Sequence, residues 1–234
     1  MTTAFVAGAT GYTGREVVRE LVQHRVRTIA HVRPDSSVMN DWIERFRRGG
    51  AEADTTPWTV EALRTTLTSL RPDLIFSLLG TTHSRSRAEG RSASAQGYQE
   101  IDYGLTAMLL RAVIESGIRP KFIYLSAAGV REDTTNQYLA VRWRLEQELT
   151  GSGLPYLIAR PSFITGPDRD EARPVERIAA AVVDGVLTVA GLFGADLLRE
   201  RYRSTTNVVL ASALVRLALA PASERTIVPS EALR

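Results

Sequence analysis

The sequence predicts an α/β protein built on a doubly wound parallel sheet. Three observations carry the prediction. Short apolar runs alternate with longer amphipathic stretches through most of the chain, a glycine-spaced turn (GATGYTG, 8–14) joins the first run to the first amphipathic stretch, and DLIFSLLG (73–80) is apolar without interruption. Unbroken apolarity suits a central parallel strand covered by helices on both faces.

TAFVAGA (3–9) reads as the first strand and REVVRELVQH (15–24) as the first helix, followed by RTIAHVR (27–33) as a strand and a helical region over 38–48. A short strand at 51–54, a helix over 59–70 and the apolar strand at 73–80 come next, and a long helix is expected over 98–117. KFIYLSA (121–127) is the fifth strand, 136–150 a helix and PYLIARP (155–161) the sixth strand, with Gly151, Gly153 and Pro155 punctuating the gap. Strand after helix after strand implies a parallel sheet with crossover helices.

Beyond Pro161 the rhythm weakens. Helices over 174–190 and 206–219 and a last strand over 226–229 read as a substrate-side elaboration, which divides the chain into a core, 1–167, and an extension packed on it, 168–234. The Ser/Arg/Gly/Ala-rich stretch 82–97 follows a central strand at the sheet's carboxyl edge, where loops of this architecture meet ligands. Both a lid and a plain connection fit it.

Composition narrows the chemistry. The 234 residues are 44% hydrophobic and 24% charged, as in one ordinary globular domain, and contain no cysteine, which excludes disulfides, thiol catalysis and Cys-ligated metals. His31 and His83 have no ligand-spaced neighbours, so no metal site is expected. Trp42, Trp58 and Trp143 read as packing residues. Twenty-nine basic against 26 acidic residues give only +3, and the arginine groups at 45/47/48, 85/87/91 and 199/201/203 are interrupted, so a nucleic-acid partner is not expected. With neither an apolar leader nor a run of about 18 apolar residues, a cytoplasmic protein without a membrane partner is expected.

Gly8, Gly11 and Gly14 close the first strand and open the first helix in a G-x-x-G-x-x-G spacing. Glycine permits the tight turn and lets backbone approach a diphosphate bridge, while the N–H groups at the helix start favour an anion. With Thr10, Tyr12 and Thr13 between them, these glycines form the candidate dinucleotide turn. Cofactor type is read at the end of the second strand, where a carboxylate holds a ribose 2′-hydroxyl and an arginine tolerates a 2′-phosphate. That strand ends at Arg33, with Ser36 as a further donor, so NADP is favoured over NAD. Asp54, at the end of the third strand, reads either as an acceptor for the adenine amino group or as a turn-capping carboxylate.

GATGYTG, LLGTT (78–82), YLSAAGV (124–130) and ARPSFITGP (159–167) occur in that order and together resemble the atypical, NmrA-like branch of the short-chain dehydrogenase/reductase family over roughly residues 3–167. The resemblance implies a Rossmann core. It further implies that Leu79, Gly80 and Thr81 meet the cofactor's ribose and diphosphate, and that Pro161, Ser162 and Phe163 meet the nicotinamide amide. A strand-end serine, a tyrosine and a lysine four residues later perform hydride-transfer chemistry in that family, and these fall on Ser126, Tyr138 and, in place of lysine, Arg142.

Tyr138 and Arg142 stand at i and i+4 and so share a helix face. A phenol with an ordinary pKa of about 10 needs a neighbouring cation to exchange a proton near neutrality. Arg142 supplies permanent charge but cannot join a proton relay as an amine could; it could instead pair with Glu146, its own i+4 neighbour. Two functions follow. One is an NADP-dependent oxidoreductase that passes a hydride to or from a small carbonyl or alcohol substrate; the other is a noncatalytic NADP(H) sensor acting through a protein partner.

Overall fold

The computed structural model describes residues 1–80, 103–162, 164–165, 205–221 and 224–234. Its main sheet contains β1 (Thr3–Ala7), β2 (Arg27–His31), β3 (Glu52–Asp54), β4 (Leu74–Ser77), β5 (Lys121–Leu125), β6 (Tyr156–Arg160) and β9 (Arg225–Pro229), all parallel, in the order β3-β2-β1-β4-β5-β6-β9. A separate pair, β7 (Ile164–Thr165) with β8 (Thr205–Thr206), is also parallel. The helices are α1 (Gly14–Gln23), α2 (Met39–Arg48), α3 (Val60–Leu70), α4 (Thr106–Ser116), α5 (Gln137–Gly151) and α6 (Asn207–Leu219), and a 3-10 turn, Ser230–Ala232, follows β9. This is the doubly wound Rossmann architecture that the sequence pattern predicts.

Every residue of β1 and β4 is buried, because helices cover both faces of the sheet centre. The alternation of side chains is visible within β1 itself. Ala4 and Val6 join a cluster with Val17, Leu21, Phe46, Leu210 and Leu214 of α1, α2 and α6, whereas Phe5 and Ala7 join Leu63, Leu67, Leu109, Val113, Leu145 and Leu149 of α3, α4 and α5. The strand order reverses between β1 and β4, the point at which open parallel sheets generally bind ligands, outside the carboxyl ends of the strands.

Two differences from the sequence reading concern the chain's later part. Over its described residues the long helix is α-helical from Thr106, eight positions after the expected start, and 98–102 lie outside those residues. The last helix and strand lie in the main sheet's own layers: β9 pairs with β6 from Tyr156↔Arg225 to Arg160↔Pro229, and α6 shares its core with α1. The reason is burial, since β6 would otherwise be an edge and the apolar face of α6 needs a sheet to cover. The stretch 82–97, with His83, and the helix expected over 174–190 lie outside the described residues.

Candidate functional site

Because all seven strands are parallel, the segments that follow them gather on one edge. At β1 the turn is closed by the Gly11 amide donating to the Gly8 carbonyl at 3.0 Å. Gly8 has φ +81°, and a Cβ there would stand 2.7 Å from the Leu78 carbonyl oxygen, so the turn lies hard against the end of β4. A Cβ on Gly14 would stand 2.0 Å from the Gly8 carbonyl oxygen. Neither position tolerates a side chain with the backbone where it is.

The start of α1 differs from those of three other helices. Thr59, Asn136 and Thr206 each cap their helix by accepting from a backbone amide, those of Ala62, Leu139 and Val209 respectively. Thr13 makes no such bond, so the first-turn amides of α1 carry no side-chain cap. Tight glycine packing and an uncapped helix start fit the diphosphate of a dinucleotide, where N–H groups and the helix dipole meet negative charge. Thr10, Gly11, Tyr12 and Thr13 lie within this turn. Leu78 and Leu79 stand against it at the end of β4, Gly80 follows them, and Thr81 lies outside the described residues.

At the end of β2, Arg33 is 43% exposed along its side chain and its Nη1 donates to Asp35 at 3.3 Å. The Ser36 amide donates to the Arg33 carbonyl, closing the turn that carries both. Asp54 accepts from the Thr56 amide at 3.2 Å and from its hydroxyl at 2.8 Å, a turn-capping arrangement. His31 is buried beside it, with Nε2 bonded to the Thr56 carbonyl at 2.9 Å and the ring edge-on to Trp58. Burial pushes its pKa below the ordinary histidine value.

The candidate catalytic residues occupy the other half of the edge. Arg142 is 5% exposed and does not pair with Glu146; its Nη1 donates to the Leu125 carbonyl and to the Tyr124 hydroxyl, and its guanidinium lies 4.7 Å from the centre of the Tyr138 ring. The two residues thus stack face to charge, which the i, i+4 spacing allows. Glu146, 1% exposed, pairs with Arg160 at the end of β6 through both guanidinium nitrogens Nε and Nη2. Ser126, 4% exposed, donates its hydroxyl to the same carboxylate at 2.5 Å. The network ties α5 to the ends of β5 and β6 and turns the serine toward the protein interior.

The sequence reading offers Glu146 only as a partner for Arg142 and passes over Arg160 and the network the two residues form with Ser126. The signal for that network was present: Glu146 lies on the same buried α5 face as Val141, Leu145 and Leu149, where a carboxylate needs a partner. The chain's single lysine, Lys121, is at the opposite end of β5, where its ammonium donates to the Leu217 and Ala218 carbonyls at the end of α6. No lysine can therefore stand in for Arg142. After β6, the Pro161 carbonyl accepts from the Ala128 amide and the Ser162 amide donates to the Ser230 hydroxyl, so both backbone groups are engaged within the protein. Phe163 lies outside the described residues.

Comparison with known proteins places the chain. A family described as NAD(P)H-binding matches residues 8–187, from the first glycine of the turn to well beyond β6. The chain belongs to the NAD(P)H-binding family. An atypical, NmrA-like short-chain dehydrogenase/reductase fits that membership. The NAD(P)H-binding chain is 24% identical over 185 residues to an Aspergillus niger protein named FMP52, mitochondrial, covering 76% of this chain and 73% of that one. Among solved structures, an oxidoreductase of Lactococcus lactis superposes with a TM-score of 0.62 at 16% identity, over 99% of this chain and 95% of that one. The Bordetella bronchiseptica enzyme WbmH, solved in complex with NAD+, gives 0.64 at 12% identity over 98% and 76%. A protein called AtPrR2, solved with NADP+ and pinoresinol, gives 0.55 at 16% identity over 70% and 50%. At these identities the likeness shows the shared fold.

The curated relatives correct one expectation. Proteins of Candida albicans, Scheffersomyces stipitis and Neosartorya fischeri are, like that of Aspergillus niger, named mitochondrial, which overturns the cytoplasmic assignment. That assignment rested on the lack of an apolar leader, and organelle-directing segments are amphipathic and arginine-rich rather than apolar.

Proposed function

We propose that the chain is an NADP-dependent oxidoreductase that passes a hydride to or from a small carbonyl or alcohol substrate at the carboxyl edge of the sheet. The observation that carries the reading is Tyr138 stacked on the buried Arg142 guanidinium in the first turns of α5, on the same edge as the uncapped glycine turn. The dinucleotide, when bound, supplies the hydride. Tyr138 is the proton donor for reduction and the acceptor for oxidation. A fixed positive charge against its ring attracts the negative charge that develops as the phenol gives up its proton. Arg142 takes no proton itself. Arg33 is the residue assigned to a 2′-phosphate, which would draw its guanidinium from Asp35.

A second reading, a noncatalytic NADP(H) sensor that signals to a protein partner, is favoured by one observation. Ser126 directs its hydroxyl to Glu146, and Arg142 is committed to the Leu125 carbonyl. Both contacts would have to be shared if these groups are to serve a substrate.

The experiment is NADPH oxidation over a panel of aldehydes, ketones and quinones, run beside fluorescence titrations with NADPH and NADH. The oxidoreductase reading expects turnover that falls about 100-fold or more in Tyr138→Phe, in line with loss of a general acid, with NADPH affinity unchanged. It also expects NADPH to bind more tightly than NADH, with that preference lost in Arg33→Ala. Turnover that survives Tyr138→Phe removes the tyrosine's role; tight NADPH binding with no turnover on the panel favours the sensor.

A further inference from the structure

Asn207, the first residue of α6, is 6% exposed and donates its Nδ2 to the Tyr12 carbonyl oxygen at 3.1 Å, across 195 positions of sequence. The contact joins the end of the chain to the middle of the glycine turn. It is not a helix cap: Thr206 fills that role by accepting from the Val209 amide. Nor is it an accident of exposed side chains meeting, since a buried amide left without its acceptor would cost free energy. β8 brings Asn207 into place by pairing with β7 just beyond the end of β6, and α6 then runs along α1 in one shared core.

The consequence follows from the planarity of the peptide group. A trans peptide holds its N–H antiparallel to its C=O, so fastening the Tyr12 carbonyl to α6 turns the N–H of Thr13 away from α6. Glycines at 8, 11 and 14 leave the turn free to take several conformations, and glycine alone cannot select one. Asn207 selects. It holds the Tyr12–Thr13 peptide with its donor turned from α6, at the uncapped start of α1, before any anion arrives.

We propose that Asn207 is a positioning residue for dinucleotide binding, latching the glycine turn in its anion-receiving form from the far end of the chain. The proposal rests on the reading of the turn as the diphosphate site. It differs from a general stabilising role in one measurable respect: it acts on ligands that carry a diphosphate bridge, and leaves the adenosine end alone.

The test compares the wild-type chain with Asn207→Asp, which keeps the shape and places a carboxylate against the carbonyl, and Asn207→Leu, which keeps the volume without a donor. Each is titrated with NADPH and with 2′-AMP, which has the adenosine and a phosphate but no diphosphate bridge. The NADPH dissociation constant is expected to rise about tenfold in both variants, the scale of one lost buried hydrogen bond, while that for 2′-AMP stays within about twofold. Thr206 keeps the helix cap in both, and should Asn207→Asp fail to fold, the uncharged Asn207→Leu carries the comparison. NADPH affinity unchanged in a folded variant, or equal weakening of both ligands, overturns the proposal. Failure of the wild-type chain to bind NADPH at all overturns instead the reading on which it rests.

Discussion

On one half of the sheet's carboxyl edge, around β1 and β4, the surface is shaped by main chain. Gly8 and Gly14 bring carbonyls and amides within a distance no side chain would allow, and α1 begins without a side-chain cap. On the other half, around β5 and β6, the same edge is closed by charged side chains: Glu146 holds Arg160 and Ser126, and Arg142 spans from the Leu125 carbonyl to the Tyr138 ring. The first half leaves its helix-start amides without a side-chain cap; the second has its strong donors satisfied within the protein. The comparison separates two tasks that are often run together, holding a charged cofactor and activating a substrate. A main-chain cradle needs no conformational change to receive an anion, whereas a hydroxyl held by a buried carboxylate must share that bond before it can act on anything else.

The sharpest way to break the comparison is to open the closed half. Removing Glu146 leaves the Arg160 guanidinium without its partner in a partly buried position and strands the Ser126 hydroxyl. Glu146→Ala is expected to destabilise the fold by about 3 kcal/mol, seen as a melting temperature lower by roughly 6–12 °C for a domain of this size. Dinucleotide affinity should stay within about threefold, because the turn at β1 makes no use of the network. A large loss of affinity with little change in melting would show that the two halves are one site.

The reciprocal change fills the open half. Gly14→Ala places a methyl group 2.0 Å from the Gly8 carbonyl oxygen, so the turn must move. Overpacking of this kind costs about 1–3 kcal/mol, less than the loss of Glu146. The effect on ligand is the larger one: the turn cannot rearrange without displacing the N–H groups it presents, and NADPH affinity should fall at least about 100-fold. Fluorescence titration beside thermal melting checks both numbers. Should binding survive with melting lowered, the turn is structural and the diphosphate lies elsewhere.

How far the sequence reveals each half follows from the same contrast. The glycine turn is legible because its cause is local: three glycines between an apolar run and an amphipathic one have few other uses, and the strand order that places them at the crevice follows from alternation alone. The Tyr138–Arg142 stack is legible for a similar reason, being fixed by one helical turn. The partners of Ser126, Glu146 and Arg142 are not, since Arg160 lies 14 positions from Glu146 and the Leu125 carbonyl 17 from Arg142. A helical i, i+4 pairing of Arg142 with Glu146 is sound on an isolated helix. It yields here because the sheet offers each buried charge a better-placed partner across the layer. Asn207 is the extreme case, for nothing in its own segment announces a contact with Tyr12.

The smallest expected effect concerns a titration on the open half. His31 sits at the end of β2, buried against Trp58, with Thr56 accepting from its Nε2. Burial lowers its pKa, an effect that Arg33 adds to and that the Thr56 hydrogen bond and Asp54, 3.9 Å away, partly offset. Because the folded form resists the proton more than the unfolded form does, the histidine imposes no penalty above the ordinary value of about 6.5. Below it, the unfolded chain takes up a proton that the folded chain refuses, and stability falls until the folded-state pKa is passed. Thermal melting between about pH 7.5 and about pH 5.5 should therefore decline less in His31→Gln than in the wild-type chain. Equal pH dependence in the two would mean that the folded imidazole takes up its proton as readily as the unfolded one, with the Thr56 carbonyl and Asp54 fully offsetting its burial.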